Sequence, residues 1–308
     1  MKISAFSQAE FAKRLKGNGI YLRTGPFISH IRSSIPAVAR NIHLLYAEHS
    51  LSDSEDFADF HIELFPAKGL RRWYRPQVIF SFDGYKPFKP LPLAQAFPMF
   101  EWTLNWCIAN HSNQYLIMHA AAIEKNGFAA ILPAPPGTGK STLCAGLSSR
   151  GWRLLSDELA ILRLSDMKLM PLARPINLKN DSINIMRQYT PDTLFGQVSR
   201  DTAKGDVAHM KPSTDSVIRS DEVAIPTWII FPKYVANESI SLLPRSKAQT
   251  FIYGAENSFN YSALGLEGFK AMEHLIDSCH CYDFTYSDLD QAIEQFNKLP
   301  VPEKVNEQ

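Results

Sequence analysis

The chain has 308 residues, 45% of them hydrophobic and 20% charged, enough to bury one large core or two modest ones. Its 32 basic and 31 acidic residues leave a formal net charge of +1, so no global field draws it to nucleic acid or to an anionic membrane, and any anion site must be local. The N-terminal stretch lacks the apolar core of a signal peptide and no apolar run approaches the roughly 18–20 residues that span a bilayer, so a cytoplasmic protein with no nucleic-acid and no membrane partner is expected.

Residues 1–115 read as a β-rich region ending in a connecting helix. Alternating stretches, Phe60-His61-Ile62-Glu63-Leu64-Phe65 and Val78-Ile79-Phe80-Ser81-Phe82, predict strands, with turn signals at Asp83-Gly84 and Lys86-Pro87. Residues 94–109 carry aromatic and aliphatic side chains at helical spacing, interrupted only by Pro98, and predict a buried helix. From Leu116 the order becomes strand (116–124), glycine turn at Gly127, strand (128–134), glycine-rich loop, helix (140–150) and strand (152–164). That is the order of an α/β nucleotide-binding core, expected over 116–300 as a mixed sheet with flanking helices. Further strands are predicted at 228–231 and 240–243, helices at 267–280 and 289–299, and a solvated tail at 301–308.

The loop reads Ala134-Pro135-Pro136-Gly137-Thr138-Gly139-Lys140-Ser141-Thr142, a P-loop pattern with alanine at the first glycine position. A polyphosphate must be gripped by many donors at once, which such a loop provides by curling backbone N–H groups at the start of a helix. Gly137 and Gly139 supply permissive backbone angles, Lys140 reaches the β and γ phosphates, Ser141 offers a hydroxyl to Mg²⁺ and Thr142 supports it. The two prolines stiffen the loop.

Phosphoryl transfer also needs a carboxylate, and Asp157-Glu158 interrupts the apolar run after the helix, where a charge must be paired or functional. The competing reading is a strand-edge or helix-cap acidic pair. His119 lies in the preceding apolar strand, where a lone histidine is more often a core residue than a catalyst. Arg174 and Lys179, around the proline-restricted turn Arg174-Pro175-Ile176-Asn177-Leu178-Lys179-Asn180, are candidates to stabilise a transferring phosphoryl group, and His209-Met210-Lys211-Pro212 is a weaker one. Loop surface charge is the competing reading for all of these cations. The four cysteines, Cys107, Cys144, Cys279 and Cys281, are too few and too irregular for a disulfide framework, and Cys279-His280-Cys281 lacks a second ligand pair for a metal clip.

Residues 116–163 resemble the catalytic core of the HPr kinase/phosphorylase family, bacterial enzymes that phosphorylate a serine of a small carrier protein. His119, Gly127, Lys140, Arg150-Gly151 and Asp157-Glu158 stand in the order and at the spacing of that core. The stretches ARPINLKN, PTWIIFPKY, EWTLNWC and SDELA are similar to the HPr-kinase-related kinases of type A, which are grouped with a small peptide-chaperone-like partner.

The resemblance implies an ATP- and Mg²⁺-dependent serine kinase acting on a small protein or peptide. In it Asp157 takes the hydroxyl proton, Glu158 and Ser141 serve the metal, and His119 orients the carboxylate. Arg174 or Lys179 would meet the transferring group. Three departures bear on the reverse reaction: Asp157-Glu158 stands for two aspartates, Ala-Pro-Pro-Gly for Gly-Asp-Ser-Gly, and the arginine- and glycine-rich phosphorolysis signature is missing. Phosphorylase activity is therefore not expected. A small-metabolite kinase and a non-catalytic, nucleotide-gated scaffold remain open as alternatives, as does the oligomeric state, a homo-oligomer included.

Overall fold

The computed structural model describes residues 1–52, 57–135 and 137–300, the side chain of Arg72 excepted. The expectations for Pro136 and for the 301–308 tail lie outside the described residues. In chain order the elements are α1 (Gln8–Lys16), β1 (Ile20–Thr24), β2 (Phe27–Ser33), α2 (Pro36–Leu45), β3 (Phe60–Pro66), β4 (Gln77–Phe82), β5 (Leu91–Pro92), α3 (Ala96–His111), β6 (Tyr115–Lys125), β7 (Phe128–Pro133), α4 (Lys140–Ser149), β8 (Arg153–Ser156), β9 (Leu159–Arg163) and β10 (Leu169–Met170). They continue with β11 (Ile176–Lys179), α5 (Asp181–Tyr189), β12 (Ser199–Thr202), β13 (Gly205–Met210), α6 (Thr214–Ile218), β14 (Ile225–Tyr234), β15 (Ser241–Pro244), α7 (Lys247–Glu256), α8 (Tyr261–Leu264), α9 (Leu266–Ser278), β16 (His280–Tyr286) and α10 (Leu289–Asn297). The chain is mixed α/β, and no described helix is long and apolar enough to cross a membrane.

Contacts divide the chain into two units. The first comprises Met1–Ser112 and Leu172–Asp221. Its five-stranded sheet runs β1-β2-β3-β4-β5, with only β2 and β3 parallel. Strand β2 alternates buried and less buried residues along its length, so one face of the sheet packs inward. Helices α1 and α2 go beyond the β-rich expectation for this region. Their signals are local: Ser7 and Glu10 form a capping box, with the Ser7 N–H donating to the Glu10 carboxylate at 2.9 Å, and Pro36 opens α2 at its first turn.

The expected boundary, with 116–300 as one continuous domain, differs from this division, because Leu172–Asp221 belongs with the N-terminal residues. Its three-stranded sheet, β11-β13-β12, buries Ile176, Leu178, Val207 and Ala208. Hydrogen bonds tie it down: Gln95 Nε2 donates to the Asp201 carbonyl at 3.0 Å, and Ser199 Oγ to that of Ala94 at 3.0 Å. Such long-range polar pairing has no periodic trace in sequence.

The second unit comprises Asn113–Pro171 and Glu222–Gln308. Its sheet has the order β10-β9-β6-β7-β14-β16-β15, and β8 pairs beside β9 along the other half of β6. The central strands β7, β14 and β16 are mutually parallel, while the pairings of β6, β15 and β10 are antiparallel. All six residues of β7 are buried, as expected for a strand covered on both faces. One face carries Met118, Ala120, Ala122, Ala129 and Ile131 against Ala271, Met272, Leu275 and Ile276 of α9. The helix expected over 267–280 ends at Ser278, since Cys279 is extended and His280 opens β16. All four cysteines are buried and free.

Candidate functional site

The glycine-rich loop leaves the C-terminal end of β7 and enters α4 directly. Gly137 and Gly139 have φ values of 87° and 89°, left-handed conformations that favour glycine. At Gly139 a side chain is also excluded by space, because a Cβ there would lie 2.5 Å from Tyr286 Oη and 3.0 Å from Tyr234 Cβ. Thr138 Oγ1 donates to the Pro135 carbonyl at 2.9 Å, and the Thr138 carbonyl accepts from Tyr234 N at 2.9 Å.

The C-terminal residues of two parallel strands, Tyr234 of β14 and Tyr286 of β16, thus brace the loop. Burial pushes the Tyr286 phenol upward, so it stays a neutral donor near pH 7. Sequence reading missed both tyrosines; the available signal was that each ends an apolar strand in an α/β unit, where ligand-facing residues gather.

Helix α4 begins at Lys140 with no side chain capping it at Gly139. Its first-turn N–H groups are therefore the kind of donors that receive an anion. Lys140 is buried at 9% exposure, while Ser141 and Thr142 are half-buried. Leu143, Cys144 and Leu147 seat the helix on the sheet. Gly146 permits close approach to α10, where a Cβ would lie 2.8 Å from Leu289 Cδ1.

Strands β8 and β9 form one antiparallel course along β6, broken at Asp157-Glu158. Ala122 pairs with Ser156 and His119 with Leu159, so the acidic pair falls opposite Ala121 and Ala120. On the other side of β6, Ala120 pairs with Pro133, the last residue before the loop. The loop and the acidic pair therefore open from neighbouring strand ends flanking the middle of β6, about two strand spacings, roughly 10 Å, apart.

Ser156 Oγ shapes the break by accepting from Glu158 N at 3.3 Å and Leu159 N at 3.0 Å. Asp157 is buried at 6% exposure and Glu158 is half-buried. Cys144, one turn into α4, has its thiol pushed upward by burial first and by the Asp157 carboxylate next, with Lys140 opposing.

His119 is half-buried on β6, and its ring centroid lies 5.8 Å from that of Phe259. With Pro133, Phe231, Tyr253 and Asn257 it lines a cavity of about 20 Å³, room for about one water molecule. Register puts it beside the strand end that carries Pro133, so His119, Lys140 and the acidic pair share one region of this unit.

Arg174 and Lys179 belong to the other unit. Arg174 is 5% exposed and its guanidinium donates to Asn105 Oδ1 at 2.6 Å and pairs with Glu101 Oε2 at 3.3 Å. Tyr46 Oη donates to the second Glu101 oxygen at 2.7 Å. This is a buried structural network. Lys179 is half-buried at the end of β11, and His209 is a core residue 5.0 Å from the Phe97 ring.

Among the described residues there is no group of three or more His, Cys, Asp or Glu that could hold a metal ion. The oxygen donors present, Ser141 and the Asp157-Glu158 carboxylates, suit Mg²⁺, which commonly takes one or two carboxylates with its remaining positions left to phosphate and water. No protein-family model matches the sequence, and no curated protein matches it.

Proposed function

We propose that the chain is a P-loop kinase of the HPr-kinase-related type, transferring the γ-phosphoryl group of ATP to a hydroxyl, a serine of a small protein or peptide. The observation that carries this reading is the sheet register, in which the loop that leads into Lys140 and the acidic break that bears Asp157 open from neighbouring strand ends on either side of β6. A cation at a glycine-rich helix start and a carboxylate within reach are the two charges that phosphoryl transfer demands.

In this reading, backbone N–H groups of the 134–142 loop and Lys140 bind the phosphates, and Ser141 and Glu158 are the side chains that would hold Mg²⁺. When bound, the cation neutralises charge on the phosphate oxygens. Asp157 accepts the proton of the acceptor hydroxyl as its oxygen bonds to the γ-phosphorus and the bond to the ADP oxygen breaks. His119 orients that carboxylate. A reading of Arg174 as the cation that meets the transferring group draws no support from its buried pairing with Glu101. Tyr234 and Tyr286 keep the loop in its open-backbone conformation before nucleotide arrives, which lowers the ordering cost of binding.

The test is ATP turnover by Lys140→Ala, expected to be abolished; turnover equal to that of the parent chain would sink the proposal. Incubation with γ-labelled ATP and native lysate separates the acceptors. Label on a macromolecule supports the protein kinase, and label confined to a small compound supports a metabolite kinase instead.

A further inference from the structure

The near-zero net charge hides one strongly biased surface. Between β3 and β4, residues 67–76 read Ala-Lys-Gly-Leu-Arg-Arg-Trp-Tyr-Arg-Pro, with four cations and no carboxylate. The chain makes a single 3₁₀ turn at Gly69–Arg72, with Trp73 N and Tyr74 N both donating to the Leu70 carbonyl, at 3.1 and 2.9 Å. Leu70, Trp73 and Tyr74 therefore stand within one turn of chain, at i, i+3 and i+4. They are 86%, 83% and 68% exposed, an uncommon display of one aliphatic and two aromatic side chains together.

Cations surround them. Lys68, Arg71 and Arg75 are exposed, and the Arg75 guanidinium lies 5.6 Å from the Tyr74 ring. From the β4–β5 connection, Lys86 lies 5.6 Å from the ring of Phe65, a residue of β3 beside this loop, and Lys89 is also exposed. That connection carries one carboxylate, Asp83 at its start, against these two lysines.

We propose that this loop docks on an anionic lipid surface, with Leu70, Trp73 and Tyr74 entering the interfacial layer and the cations meeting lipid phosphates and carboxylates. Tryptophan and tyrosine are suited to that layer because their rings are apolar with a polar edge, and arginine and lysine extend their charge outward from an apolar stem. A nucleic acid would use the rings for stacking but offers nothing to Leu70, the most exposed of the three. An acidic peptide needs a groove to bury such groups, and every described side chain from Lys68 to Pro76 is exposed. The surface lies within the first unit, so the proposal stands whether or not the second unit is a kinase.

The experiment is co-sedimentation of the full chain with vesicles of phosphatidylcholine alone and with about one-third phosphatidylserine, at low and high salt. Binding is expected only to the anionic vesicles, and to fall with salt. Leu70→Ser with Trp73→Ser, and separately Arg71→Glu with Arg75→Glu, should each weaken it at least about tenfold. These positions are exposed, so both variants should keep the parent melting temperature, which confirms that folding is intact. No binding by the parent chain, binding that the Leu70 and Trp73 changes leave unaltered, or displacement of bound vesicles by a single-stranded oligonucleotide occupying the loop would each overturn the proposal.

Discussion

The phenol of Tyr286 donates a 3.1 Å hydrogen bond to the carbonyl oxygen of Gly139, so the last residue of β16 holds the last loop residue before α4. Gly139→Ala should suffer twice, from its positive φ and from the Cβ driven against that phenol, at a cost of about 1–3 kcal/mol in the loop conformation. ATP affinity is expected to drop about tenfold or more. Tyr286→Phe removes only the donor and should cost about 1 kcal/mol. Calorimetric titration with ATP checks both, and an unchanged affinity for Gly139→Ala would contradict this account of the loop.

Asp157→Asn keeps the shape of the acidic break while removing the carboxylate proposed as proton acceptor. Phosphoryl transfer should fall by about 10²–10⁴-fold, with ATP binding retained. Single-turnover transfer and equilibrium ATP binding, measured side by side, give the comparison. If transfer persists at the parent rate, Asp157 is not the base and a non-catalytic role for the pair gains ground.

Arg174 separates a structural cation from a catalytic one. Arg174→Met would leave Glu101 buried without its cation, which typically costs about 3–5 kcal/mol. Chemical denaturation should show that loss, partly recovered when Glu101→Gln is added. A variant that melts normally yet loses phosphoryl transfer would restore the catalytic reading.

His49 gives a pH signature. It is 4% exposed, and its ring pKa is held down from 6.5 to about 4 by burial first, with Arg174 and Lys211 adding to the depression against the Ala173 and Tyr46 carbonyls. Between those values the unfolded chain takes up a proton that the folded chain refuses. Its contribution is therefore complete above pH 6.5 and is lost as pH falls toward 4, by about 3 kcal/mol. Denaturation midpoints between pH 4 and 7 should show this slope, flattened in His49→Gln.

Much of the candidate site was legible because its signals are local. Gly137, Gly139 and Lys140 declare a loop whose backbone and charge suit phosphate, and the apolar run of β7 before it identifies the strand. Asp157-Glu158 stood out because a charge within an apolar strand needs a reason. Tyr234 and Tyr286 were not legible: their role comes from the parallel pairing of β14 with β7 and of β16 with β14, across separations that no window spans.

The sequence by itself determined the phosphate-loop pattern, the acidic pair, the strand and helix periods around them, and the buried character of the central strands, since each depends on neighbours in the chain. Only the tertiary structure decided that Leu172–Asp221 joins the N-terminal unit and that Arg174 serves Glu101 there. It also decided that Tyr286 meets Gly139, and that Leu70, Trp73 and Tyr74 stand exposed together. The reason is physical: propensity and periodicity act over a few residues, whereas burial, ion pairing and strand order are set by which distant segments exclude water together.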